Sequence, residues 1–177
     1  MKSSFYTQIE NSTAHRKSRD TNCELAMNSS ENLRELFELA FNLKNKNHFK
    51  ACWCLELVLE NDITLLIPYL DVFCENISKY KHDSAKRPIS KICLFISKSK
   101  LNDLTNEQEQ KIIETCLDWL IQEEKVATKA YSMRTLFNFS KKHLWIKEEL
   151  KIILDQDYSS HSAAYQAAAR DLLKKLK

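Results

Sequence analysis

Two cysteines flank a tryptophan in the run KACWCLELVLE, residues 50–60. Cys52 and Cys54 are of the type that binds metal or does thiol redox chemistry, so their spacing comes first. On a helix, side chains two residues apart point about 200° apart, so the two sulfurs cannot converge on one ion or close a disulfide. Structural zinc and redox motifs usually space cysteines as C-x-x-C. None of the six cysteines (Cys23, Cys52, Cys54, Cys74, Cys93 and Cys116) shows that spacing. The stretch 51–59 is apolar nearly all round, interrupted only by Glu56. That pattern suits a helix covered on both sides, in which cysteine serves as a small buried hydrophobe. Core packing is the expectation, with no metal and no cofactor.

The other chemistry-bearing residues are dispersed. His15, His48, His82, His143 and His161 fall mostly at turns or helix starts, and neither H-x-x-x-H nor H-E-x-x-H occurs. Capping of free helix ends is their expected role. Glu56, Glu60, Asp62, Asp71 and Glu75 lie in a stretch, 51–78, without Lys or Arg. Carboxylates do acid–base work when their environments split their pKa values, and nothing here fixes two of them at a useful separation. Glu56 stands out because it interrupts an apolar helix. Buried charges are usually paired, so a cation from a neighbouring helix is its expected partner. No G-x-S-x-G elbow occurs, and no catalytic residue is assigned.

A basic segment follows the acidic one. From Lys79 to Lys100 there are seven Lys or Arg and one acid, Asp83. At 100° per residue Ala85, Ile89, Ile92 and Ile96 share one side of a helix, with Arg87, Lys91 and Lys98 opposite. Lys79, Lys81, Lys86, Arg87, Lys91 and Lys98 are therefore the candidate interaction surface, for an acidic protein or for phosphates. A solvated face with some pairing to the acidic helix before it is the plainer reading. Tyr80 stands beside the first lysines, and Phe95 is the one other Phe, Tyr or Trp in 79–100, so base stacking is not signalled.

The elements that position these residues are helices. The chain has no glycine and two prolines, Pro68 and Pro88, among 177 residues, which argues against hairpin-rich β folds, Rossmann loops and P-loops. Asparagine is plentiful instead and is the next-best residue for a left-handed helix end. A hydrophobic content of 44% with 29% charged residues is globular, and a net charge of +3 is too mild to imply nucleic acid by itself. The first residues lack the apolar run of a signal peptide, and no apolar stretch is of membrane-spanning length, so a cytosolic location with reduced cysteines and no membrane partner is expected. Apolar periodicity predicts helices over 3–11, 13–28, 30–43, 47–60, 63–79, 83–99, 105–122, 126–141, 144–156 and 161–176. Thr105 and Gln108 stand in capping-box register.

The second helices of successive hairpins align. NHFKACWCLELV, HDSAKRPISKIC, VATKAYSMRTLF and SAAYQAAARDLL each open polar, pass through small residues and reach a charged residue before apolar ones. Those charged residues, Glu56, Lys91, Arg134 and Arg170, are separated by 35, 43 and 36 residues, within the period of two-helix repeats. In this the chain resembles HEAT repeats, and as a whole it is similar to short bacterial HEAT-like proteins. The resemblance implies an all-α fold: a single domain over 1–177, built as a right-handed α-α superhelix of about five hairpins. Some of those similar proteins carry an adenylosuccinate lyase label. Lyases of that superfamily are longer and use a glycine-bearing mobile loop, which a glycine-free chain lacks. The functional expectation is a protein–protein interaction scaffold, more a binding protein than an enzyme. The alternative is a nucleic-acid-binding protein resembling DNA alkylation-repair glycosylases, gripping through 79–100. A small enzyme comes third. Exposed apolar side chains would favour the scaffold, and titrating groups buried in a cleft would favour the enzyme.

Overall fold

A computed structural model describes residues 2–99, 104–156 and 158–176. Among them are ten α-helices and no strand. The helices are α1 (Ser4–Glu10), α2 (Arg16–Met27), α3 (Ser30–Phe41), α4 (His48–Asn61), α5 (Leu70–Asn76), α6 (Asp83–Lys98), α7 (Asn106–Ile121), α8 (Val126–Phe139), α9 (Leu144–Asp155) and α10 (Ala163–Lys175). The chain divides into two compact units, Met1–Ile92 and Cys93–Lys177.

Local sequence explains where the helices begin. Ser3, Ser29 and Ser162 accept a hydrogen bond from the backbone N–H three residues on, satisfying a donor that the first turn leaves open. Thr105 and Gln108 form the anticipated capping box, each side chain bonded to the other's backbone N–H. Helix ends and links use asparagine in place of glycine. Asn11, Asn28 and Asn42 end their helices with φ of −88°, −87° and −83°, so these cap residues are not left-handed. Between α3 and α4 the chain turns on side chains: Asn42 Oδ1 accepts from Lys44 N at 3.2 Å, and Asn45 Oδ1 from Asn47 N at 2.9 Å.

The expected fifth helix, 63–79, is the exception. It is a 3₁₀ segment, Ile63–Tyr69, then α5, then a second 3₁₀ turn, Ile77–Lys79. Pro68 lies inside the first segment. It has no N–H to donate and its ring collides with the carbonyl four residues back, so a continuous α-helix cannot pass through it.

In the first unit α2 packs on α3 and α4, and α3 on α4 and α5. Leu36, Phe37, Ala40, Ala51, Leu55, Val58, Leu66 and Phe73 are fully buried there. Each large side chain of this kind contributes roughly 1.5–3 kcal/mol by leaving water. Phe37 also stacks on Tyr69 with ring centroids 4.1 Å apart. In the second unit α8 packs on α7, α9 and α10. Ile112, Cys116, Met133, Leu136, Ile146, Leu150, Leu154 and Ala169 fill its core.

Candidate functional site

The candidate basic surface is built on α6 and the residues before it. Ala85, Ile89, Ile92 and Ile96 are buried, as the helical angles predict. Lys79 ends the second 3₁₀ turn and Lys81 follows it, both exposed. Arg87 and Lys98 are exposed on α6, Lys86 is half-buried, and Lys100 lies outside the described residues. Tyr80 is buried and donates its hydroxyl to the Ala40 carbonyl at 2.8 Å, so it offers no face to a nucleobase.

Lys91 belongs elsewhere. Its ammonium donates to Glu56 Oε1 at 2.8 Å and to Glu60 Oε1 at 3.1 Å. This is the cation that the buried Glu56 required. Burial alone would lower the Lys91 pKa, but hydrogen bonds and charge attraction from Glu56, then Glu60, outweigh it and raise the pKa above 10.5. Glu56 is 1% exposed, and its other oxygen, Oε2, faces Arg19 Nη1 at 4.0 Å without a hydrogen bond. Glu56 and Glu60 share one lysine, which is ion-pair architecture. Beside them a pocket of about 480 Å³ is lined by Arg16, Asp20, Cys23, Glu24, Glu60 and Asn61, with Leu57. Arg16 and Asp20 pair across one turn at 2.7 Å.

The Cys-Trp-Cys run is core. All six cysteines are buried, none in a disulfide, and the described residues contain no cluster of His, Cys, Asp and Glu able to hold a metal. Burial pushes the Cys52 thiol up to about 12 and the Cys54 thiol higher still, which leaves almost no thiolate at neutral pH. Trp53 donates its indole N–H to the Ser84 carbonyl at 2.9 Å. Among the histidines, His82 Nδ1 accepts from Ser84 N at 3.1 Å near the start of α6, the capping role expected of it, and its ring stacks on Phe49 at 4.2 Å.

The second unit contains a groove that the sequence reading did not single out. Glu109 on α7 is buried and accepts from Lys142 Nζ at 2.8 Å, and its Oε2 lies 2.9 Å from His143 Nε2. Desolvation would raise its pKa, but the hydrogen bonds from Lys142 and His143 overcome that and hold the carboxyl below 4.5. Glu109 and His143 border a pocket of about 450 Å³, completed by Asn106, Gln110, Ile113, Glu114 and Trp145. Trp145 is 56% exposed, Leu144 before it is 76% exposed, and Ile152 two turns further along α9 is 62% exposed. The signal was available. Leu144, Trp145 and Ile146 are consecutive, and three successive side chains on a helix span about 200°, so they cannot all face one core. Ile146, in register with Leu150 and Leu154, takes the inward position.

A family model for the HEAT repeat domain matches residues 7–176. The chain belongs to the HEAT repeat domain family. No curated protein and no solved structure matches it. HEAT repeats stack helix pairs so that each contacts its neighbours, and the stack offers extended surfaces for binding. For a HEAT domain, the contact from Lys91 to Glu56 has a plain meaning. The two residues occupy corresponding places in successive hairpins, 35 residues apart, and their ion pair ties one hairpin to the next. No helix among the described residues is long and apolar enough to cross a membrane.

Proposed function

We propose that this HEAT domain, acting as one domain over 1–177, is a scaffold that binds another protein, with the outward face of α9 and the groove beside Trp145 as its principal contact. One observation carries this reading. Trp145, Leu144 and Ile152 present large apolar surface to solvent beside a pocket floored by Ile113. Seven residues separate Trp145 from Ile152, about 10 Å along the helix axis, so the two lie on one stripe two turns apart. Tryptophan dominates interface energetics when it is packed beside a pocket that excludes water. The basic residues Lys79, Lys81, Lys86, Arg87 and Lys98 supply a second contact, suited to acidic side chains of the partner.

The experiment is co-purification of the tagged chain from its own cells, with and without nuclease, as wild type, as Trp145→Ala and as the pair Arg87→Glu with Lys98→Glu. A stoichiometric protein that survives nuclease and is lost in Trp145→Ala is the expected result. Nucleic acid in place of protein, lost in the charge-reversed pair and kept in Trp145→Ala, would overturn the reading in favour of phosphate recognition.

A further inference from the structure

The groove beside Trp145 has a charge pattern that selects among partners. At 100° per residue Glu148, Ile152, Trp145 and Glu149 fall in that order within an arc of about 100° on α9. All four are exposed. Trp145 and Ile152 therefore form an apolar line with one carboxylate on each flank, both near its middle. From α7, Gln110 and Glu114 line the same pocket as Trp145, and Glu114 is exposed. Although the whole chain is +3, α7 and α9 together carry seven carboxylates and three lysines. The nearby cations are engaged or turned away. Lys142 donates to both oxygens of Glu109, at 2.8 and 2.9 Å, and Lys141 Nζ sits 5.5 Å from the centre of the Phe137 ring. Lys111 pairs with Glu107 at 2.9 Å, and Lys151 lies 3.5 Å from Glu148. Lys147 stands about 160° round α9 from Trp145. Glu114 and Glu149 form no ion pair among the described residues.

We propose that the segment docking here is a basic amphipathic helix of the partner protein. Its apolar side chains pack on Trp145 and Ile152, and its Lys or Arg side chains meet Glu114, Glu148 and Glu149. The inference rests on the reading of this groove as a protein contact and adds the chemistry of what it holds. The spacing suits a helix. Trp145 and Ile152 are seven residues apart on α9, and a helix laid along them repeats its own i and i+7 positions at the same distance. The flanking carboxylates stand where charges beside an apolar seam set partner choice between packed helices. An exposed tryptophan ring is also the aromatic face that best receives a Lys or Arg cation. The same carboxylates repel a phosphate backbone, an anionic lipid surface or an acidic helix. The apolar contact supplies the affinity, and the carboxylates decide which partner may approach.

The test selects binders from a display library of random peptides, each long enough for several helical turns. The full chain is the bait, and peptides that also bind Trp145→Ala are removed. Enriched peptides should carry apolar residues at helical spacing, i, i+3 or i+4 and i+7, with Lys or Arg beside them. One such peptide is then titrated in solution against wild type and against the pair Glu148→Lys with Glu149→Lys. Both positions are exposed, and a thermal melt checks that the pair folds. Affinity should fall about tenfold or more in the pair, a loss of at least 1.4 kcal/mol. Replacing the peptide's own Lys and Arg by Glu should restore binding to the pair and abolish it to wild type. Trp145-dependent peptides that are neutral or acidic, that lack helical spacing, or that bind the pair unchanged overturn the basic helix and leave the groove as a contact of other chemistry. Failure to enrich any peptide that depends on Trp145 overturns the groove as a protein contact, and the basic helix with it.

Discussion

Trp53 supplies the hydrogen bond that Pro88 cannot. In α6 the Ser84 carbonyl would ordinarily accept from the N–H of residue 88, but residue 88 is a proline inside the helix and has none. The indole N–H of Trp53, on α4, occupies that carbonyl at 2.9 Å. The centre of the Cys-Trp-Cys run is thus a bond between helices, and it explains how a proline is tolerated at the sixth residue of α6. Trp53→Phe leaves the Ser84 carbonyl without this donor and should cost about 1–2 kcal/mol in urea unfolding. In a Pro88→Ala background the Ala N–H can take the carbonyl, and the cost of Trp53→Phe should shrink by about 1 kcal/mol. Strict additivity of the two changes would show that the indole does not compensate for the proline.

Lys91 should matter to stability far more than its place on a basic stripe suggests. Lys91→Met leaves Glu56 buried with only the loose contact to Arg19, and breaking a buried pair in this way costs about 3 kcal/mol. Glu60→Gln removes the exposed partner of the same lysine and should cost under about 1 kcal/mol. Chemical denaturation of the two variants tests the difference. Equal and small losses would mean that Glu56 finds another counter-charge. Because the folded state raises the Lys91 pKa, the pair contributes fully below 10.5 and fades as pH rises beyond it.

The acid limb of the stability profile should belong in part to Glu109. Its carboxyl is held below 4.5 in the folded state, so the unfolded chain binds the proton more readily. Its contribution is therefore complete above 4.5 and is lost as pH falls toward the lower folded value. Glu109→Gln should flatten the decline of the unfolding free energy below pH 4.5, and Lys142→Ala should flatten it less, since His143 remains. A decline of unchanged steepness in Glu109→Gln would place the acid sensitivity at other carboxyls.

Much of this was legible in the sequence, for identifiable reasons. A helix expected over 105–122 is observed at Asn106–Ile121 because its capping box and its apolar spacing agree. Apolar periodicity continues through 63–79, so one helix started or kinked by Pro68 is what the sequence leads one to expect, but the proline interrupts the hydrogen bonds and the segment divides. Glu56 reads as a charge in need of a partner, while helical angles put Lys91 on the outward stripe. A helical wheel gives the angle of a side chain and not which neighbour stands at that angle.

Trp145 offers the most direct check on the binding face, because it reports by its own fluorescence. The chain has three tryptophans. Trp119 is buried, and Trp53 is half-buried with its indole N–H bonded to Ser84, whereas Trp145 is 56% exposed. Collisional quenching by acrylamide should therefore act mainly on Trp145, and Trp145→Phe should remove most of the quenchable emission. As a surface change away from the core, Trp145→Ala should move stability by no more than about 0.5 kcal/mol. Once a partner protein is in hand, the same quenching should fall on binding if α9 is the contact. If quenching of Trp145 is unaltered in the complex, the partner sits elsewhere, and the basic residues Lys79, Lys81, Arg87 and Lys98 become the face to mutate next. The two surfaces make opposite demands on salt. An apolar contact at Trp145 should survive at high ionic strength, while a contact through the lysines should weaken as salt screens it.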